Sequence, residues 1–251
     1  MERKLAMQFV DGEAKGYPVM LVPPDILYFF NEKAPPFGNY TNVDSALFYS
    51  SKYLQYTSDS AFLEKYFDSF ISHAKKNGLS VYLPTDLQDF IETDRASYIV
   101  RFANMELIED TMTFQVEEKI NNRPRIKEIP YETISLRSWF EISMKDSANY
   151  YTYYDEQYLT DEIYGQFEQQ MWTMDIKYDY TKYEIEKEDI YYFAQAMGKS
   201  HASYLFDLML NSYIWSQLPE DRRGSFYYLH YNTEYRSIEV AEEAFIMVDE
   251  E

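Results

Sequence analysis

The chain has 251 residues, enough for one large domain or two small ones with a sizeable core, and its 43 acidic against 23 basic residues leave a formal charge of −20. That charge repels phosphate backbones and anionic headgroups over roughly 8–10 Å, which argues against nucleic acid and lipid as partners and favours a basic partner or simple solubility. With no cysteine there is no disulfide framework, thiolate zinc site or cysteine nucleophile.

Met1 to Val10 contains no apolar run long enough for a signal peptide, and no stretch of about 20 apolar residues could span a bilayer. The expectation is a cytoplasmic protein, or one whose targeting segment was removed before Glu2. Tyr17 to Val22 is a short apolar run halted by Pro23 and Pro24, which suits a buried strand, and Ile26 to Phe30 is a second apolar cluster. From Asn31 to Tyr56 the pattern fades into a loop with a weak helix around Asp44 to Leu54. Asn39-Tyr40-Thr41 matches a glycosylation sequon of a kind that arises by chance.

Asp59 onward is a helix, with Phe62, Leu63, Tyr66, Phe67, Phe70, Ile71 and Ala74 on one stripe. Ser58 or Asp59 caps its start, and Lys75, Lys76 and Gly78 suit its end. Val81 to Leu83 is a strand, and Pro84-Thr85-Asp86 opens a short helix with Leu87, Phe90 and Ile91 on one side. Ser97 to Leu107 is a long strand. Met112, Phe114 and Val116 alternate with polar residues, as do Ile134, Leu136, Ser138, Phe140 and Ile142. Asn121-Asn122-Arg123-Pro124 supplies the turn of an antiparallel hairpin.

That order of elements, from Pro18 to about Met144, resembles the α/β domain of bacterial envelope lipoproteins, the group with the curli secretion channel protein and the activators of penicillin-binding proteins. It is also similar to acidic, tyrosine-rich envelope lipoproteins of Bacteroidetes. The resemblance implies a periplasmic or surface-anchored assembly protein, with a lipid-bearing cysteine before Glu2. It supplies no catalytic residues.

Asp146 to Tyr183 is rich in tyrosine, including Tyr164, Tyr178, Tyr180 and Tyr183. Leu159, Ile163 and Phe167 fit one helix face, and Asp175 to Glu186 alternates like a strand. Asp189 to Leu218 is the longest helix, in which Gly198, Ala202 and Ser203 would let a neighbouring element approach closely. Phe226 to Tyr231 reads as a strand or docking segment, and Ser237 to Val248 as a helix or strand. The whole reads as an α+β protein: a mixed sheet packed by helices over residues 1–145 and a mainly helical, tyrosine-rich extension over 146–251.

Gly198-Lys199-Ser200 ends like a phosphate-binding loop, but Phe193 stands where its first glycine belongs. The three histidines, His73, His201 and His230, lie too far apart for a metal spacing. His201 reads as a hydrogen-bonded core residue, and His230 as a polar group among rings. No catalytic, cofactor or metal residue is assigned. The preferred function is a non-enzymatic envelope protein that binds another protein, through Trp139, Trp172, Trp215, Tyr227, Tyr228, His230 and Tyr231. A glycan-binding module stacking sugars on a row of exposed rings is one alternative. A carboxylate-based hydrolase with a pocket of acids beside His230 or His201 is another.

Overall fold

The computed structural model describes residues 1–33, 50–147, 149–169, 175–224, 227–242 and 245–248. The sequon, most of the weak helix expected near Asp44, Phe226 and Trp172 lie outside the described residues.

The central sheet has seven strands. β1 (Pro18–Val22) lies between β3 (Ser80–Tyr82) and β4 (Tyr98–Ile120), parallel to both. β2 (Tyr28–Asn31) pairs parallel with the same β4 further along, from Tyr28 opposite Glu106 to Asn31 opposite Glu109. Pro23 and Pro24 explain the interruption. Neither can donate a backbone hydrogen bond, so the chain leaves β4 and returns to it once N–H groups are available again. β4 and β5 (Arg123–Met144) form one antiparallel ladder, with a bulge between Phe102 and Asn104. β6 (Tyr150–Thr160) follows on β5, and β11 (Ile246–Val248) closes that side.

Helix α2 (Asp59–Lys76) starts where expected: Ser58 Oγ accepts a hydrogen bond from the Ala61 N–H, and Gly78 takes a φ of +96° just beyond the end. It packs on the sheet together with α4 (Lys187–Gln217). Between them and the strands lies an aromatic core. Phe102 meets Phe67 at 4.9 Å, Tyr66 at 5.7 Å and Phe140 at 4.7 Å, ring centre to ring centre, all edge to face. The short helix α3 (Leu87–Ile91) has its C-terminal carbonyls capped by the Lys145 ammonium, which donates to Ile91 O at 2.6 Å and Thr93 O at 2.9 Å.

The tyrosine-rich segment corrects one expectation. Leu159, Ile163 and Phe167 do not share a helix face; they lie in β6 and in β7 (Glu162–Gln169), which pairs with β8 (Ile176–Tyr183) as a separate two-stranded hairpin. β6 belongs to the central sheet, so backbone pairing runs across residue 145 into the second part. The C-terminal segments are also strands: β9 (Leu229–Asn232) pairs with β10 (Ser237–Val240), after the short helix α5 (Glu220–Arg223). At the other end, α1 (Glu2–Gln8) buries Ala6 and runs into a wider π-helical turn, Phe9–Glu13, that buries Phe9 and Val10.

Candidate functional site

His230 and Tyr231 are the only two anticipated site residues that the fold brings to a common pocket among the described residues. Trp139, on β5, is half-buried against Tyr154 at 5.0 Å. Trp215 lies on α4, exposed, with the Arg223 guanidinium 4.5 Å from its ring centre. Tyr227 is exposed and Tyr228 half-buried on the approach to β9. Tyr231 is buried against Phe206 at 5.6 Å. The two described tryptophans belong to different elements, β5 and α4.

The pocket beside His230, about 190 Å³, is lined by His73, Lys199, Ser203 and Glu234 as well. Its polar groups serve the packing of β9 on α4. Asp207 accepts from the Tyr231 N–H at 2.9 Å and meets His230 Nδ1 at 2.6 Å. Asn211 both donates to and accepts from the Leu229 backbone, at 2.8 and 2.9 Å. The Asp207 carboxylate raises the His230 pKa, whereas burial and the nearby Lys199 and Lys76 lower that of His73, which meets Ser203 Oγ at 2.9 Å. Deeper still, His201 is a core residue as expected: it bridges the Tyr66 hydroxyl and Asp155, the latter at 2.8 Å.

More distinctive is what leaves the body. β2 ends opposite Glu109 and β6 begins pairing at Thr133, so among the described residues no further strand flanks the β4–β5 ladder from Thr111 to Pro130, although Ile129 at its root is buried. About ten residues at roughly 3.3 Å each make an arm of about 30 Å. Nearly all of it is exposed on both faces, including Met112, Phe114 and Ile126. Asn121 and Asn122, with φ of +52° and +60°, form its two-residue tip, the geometry that matches strand twist. In a chain of net charge −20 the arm is locally basic, holding Lys119, Arg123, Arg125 and Lys127 against Glu117, Glu118 and Glu128.

β7 and β8 make a second arm faced with rings. Phe167 packs on Tyr178 at 4.9 Å and Tyr164 on Tyr183 at 5.9 Å, with Tyr164, Tyr180 and Tyr183 exposed. Gly165 is required opposite Tyr180, because a Cβ there would come within 2.6 Å of the Tyr180 Cβ and 2.8 Å of the Tyr178 ring. The tyrosine-rich segment was visible in the sequence; that Tyr164, Tyr178, Tyr180 and Tyr183 share a two-stranded hairpin was not.

Two buried carboxylates clamp the roots of these arms. Glu109, fully buried, accepts backbone N–H groups from Lys52, Tyr53 and Leu54 at 2.7, 2.9 and 3.1 Å and pairs with Lys33 at 2.7 Å. Asp161 accepts from the Glu132 N–H at 2.8 Å and the Ile185 N–H at 2.9 Å, and pairs with Lys182 at 2.9 Å. Burial works to raise both carboxyls, but these donors outweigh it and hold both below their usual values. Beside Asp161 a cleft of about 950 Å³ opens between the end of β6, the end of β8 and the start of α4. It is lined by Glu162, Glu184, Glu186 and Asp189 and by Tyr183 and Tyr192.

Among the described residues no group of three or more histidine, aspartate or glutamate side chains is arranged to hold a metal ion, and no helix is long and apolar enough to cross a membrane. Comparison with protein-family models finds no match, and comparison with curated proteins finds none either.

Proposed function

We propose that this is a non-enzymatic protein of the cell envelope that works by holding another protein in assembly or transport, and that its two-stranded arms are the holding elements. The observation that carries the reading is the β4–β5 arm. A hairpin exposed on both faces gains little from its own packing, yet this one keeps Met112, Phe114 and Ile126 in water and, among the described residues, both backbone edges unpaired beyond Asp110. Such an edge accepts a further strand from a partner, with side chains on alternate faces setting specificity. The ring-faced β7–β8 arm supports the same reading, since tyrosine is enriched at protein interfaces. The histidine pocket favours enzyme chemistry less, because Asp207 and Asn211 are occupied with the β9 backbone.

The test is site-specific photo-crosslinking in the producing cell. A photoreactive residue at Gln115 or Tyr180, on the arms, should yield discrete protein adducts, and one at Asp68, on the exposed side of α2, should yield none. Adducts from Asp68 alone, or from no position, would remove the basis for the reading. The envelope placement is checked separately by fractionation: recovery only with cytosolic markers would discard it.

A further inference from the structure

The arm and the cleft carry opposite charge on one chain. Arg123, Arg125 and Lys127 are alternate residues of β5 and therefore share a face, with Ile120, Glu118 and Val116 opposite them on β4. None of the three cations forms an ion pair among the described residues. In the cleft, Glu162, Glu186 and Asp189 likewise have no cationic partner among those residues, while Glu184 pairs with Lys52 and Lys182 is held by Asp161. Tyr183 and Tyr192, both exposed there, offer ring faces of the kind on which guanidinium groups stack.

The arm cannot reach its own cleft. The cleft adjoins Asp161 and Lys182, where Lys182 also bonds Pro130 at the arm's root, and a continuous ladder carries Lys127, Arg125 and Arg123 about 10, 17 and 23 Å away from that point. Arg125 and Arg123 thus stand about two to three Debye lengths from the root, where the body's negative field is largely screened at physiological salt. Among the described residues, an acidic, ring-lined acceptor for these outer cations therefore lies only on another molecule. Building on the reading of the arms as contact elements, we propose that the basic face of one copy's β4–β5 arm seats in the acidic cleft of a second copy. The two surfaces differ, so the contact either is reciprocated in an arm-exchanged two-fold dimer or repeats head to tail as rings or open chains.

Sedimentation velocity of the full chain, over a range of protein concentrations at low and high salt, tests this. The unmodified protein should associate with rising concentration and dissociate in high salt. Arg123→Glu/Arg125→Glu/Lys127→Glu, and separately Glu162→Lys/Glu184→Lys, should each weaken association at least about tenfold. Mixing the two variants should restore growth, because each then meets a complementary surface. All five positions are exposed, and circular dichroism confirms that the variants fold. A protein that stays monomeric throughout, or association unaffected by the arm variant, overturns the proposal. So does a monomer that co-sediments with vesicles of anionic lipid through the arm cations, which would assign the arm to a membrane surface. If the purified chain stays monomeric while Gln115 still crosslinks to a different protein in cells, self-association fails and the arm-contact reading stands.

Discussion

Gly198 of α4 lies directly against the backbone of Tyr66 in α2: a Cβ at residue 198 would sit 3.0 Å from the Tyr66 carbonyl carbon, 3.1 Å from the Phe70 nitrogen, and closer still to the Tyr66 oxygen. Backbone cannot swing aside as a long side chain can. Alanine in place of glycine would favour the helix itself by about 1 kcal/mol, but forcing the two helices apart costs more. Gly198→Ala should lower stability by about 2 kcal/mol net, read as an earlier urea midpoint. An unchanged or later midpoint would contradict the crossing described above.

The Tyr66 hydroxyl, His201 and Asp155 form one chain of hydrogen bonds in a region from which water is excluded. Tyr66→Phe removes one member and leaves a ring nitrogen without its partner. The expected loss is about 1–3 kcal/mol, with the fold retained. Equal stability in thermal unfolding would mean that the hydroxyl is dispensable.

Glu109→Gln should cost about 2–4 kcal/mol, because an amide oxygen replaces two carboxylate oxygens that serve three N–H groups and Lys33. Chemical denaturation measures this. Loss confined to less than about 0.5 kcal/mol would show that the segment from Lys52 to Leu54 is held by other contacts.

Acid should undo the same clamps. Glu109 and Asp161 have folded-state pKa values below those of the unfolded chain, so their contribution is complete above about pH 4–5 and is lost as pH falls through the folded values. Stability measured from pH 7 to pH 2 should therefore drop in the acidic limb. In Glu109→Gln and Asp161→Asn that limb should be shallower.

His230 and His73 should titrate in opposite directions from the ordinary histidine value of about 6.5, His230 above it and His73 below. With His230 raised, its bond to Asp207 stabilises the fold below about pH 6.5 and fades as pH rises through the folded value. With His73 lowered, its stabilising share is complete above about pH 6.5 and falls away towards acid. Imidazole resonances followed by NMR, assigned with His73→Gln and His230→Gln, would show the order; the reverse order would refute the pocket's electrostatics.

Helix α2, its cap at Ser58 and the β4–β5 alternation were legible because local spacing and burial agree: the same residues that make the stripe, such as Phe62, Tyr66 and Phe70, are those the sheet covers. The α+β class and the close approach at Gly198 followed from the same kind of signal. Leu159, Ile163 and Phe167 misled because every fourth residue fits a helix face, while cross-strand pairing on β5 and β8 decided the outcome. The clamps were not legible at all. Glu109 is an acid within a β run and Asp161 an acid between two strands, and only partners tens of residues away, such as Lys52 or Ile185, explain why either is buried. The arm's reach was hidden for a similar reason: alternation continues unchanged past Asp110, and only the ends of β2 and β6 mark where the ladder loses its neighbours.

The Asn121–Asn122 tip closes the ladder with no slack residue between Ile120 and Arg123. Because side chains switch sides at every step along a strand, inserting one residue on the β5 side of that tip would displace Arg123, Arg125 and Lys127 by one place and turn them to the reverse side of the hairpin, with composition and total charge intact. The sidedness of these three cations is thus written in residue parity, and an insertion of two would restore it while lengthening the spoke.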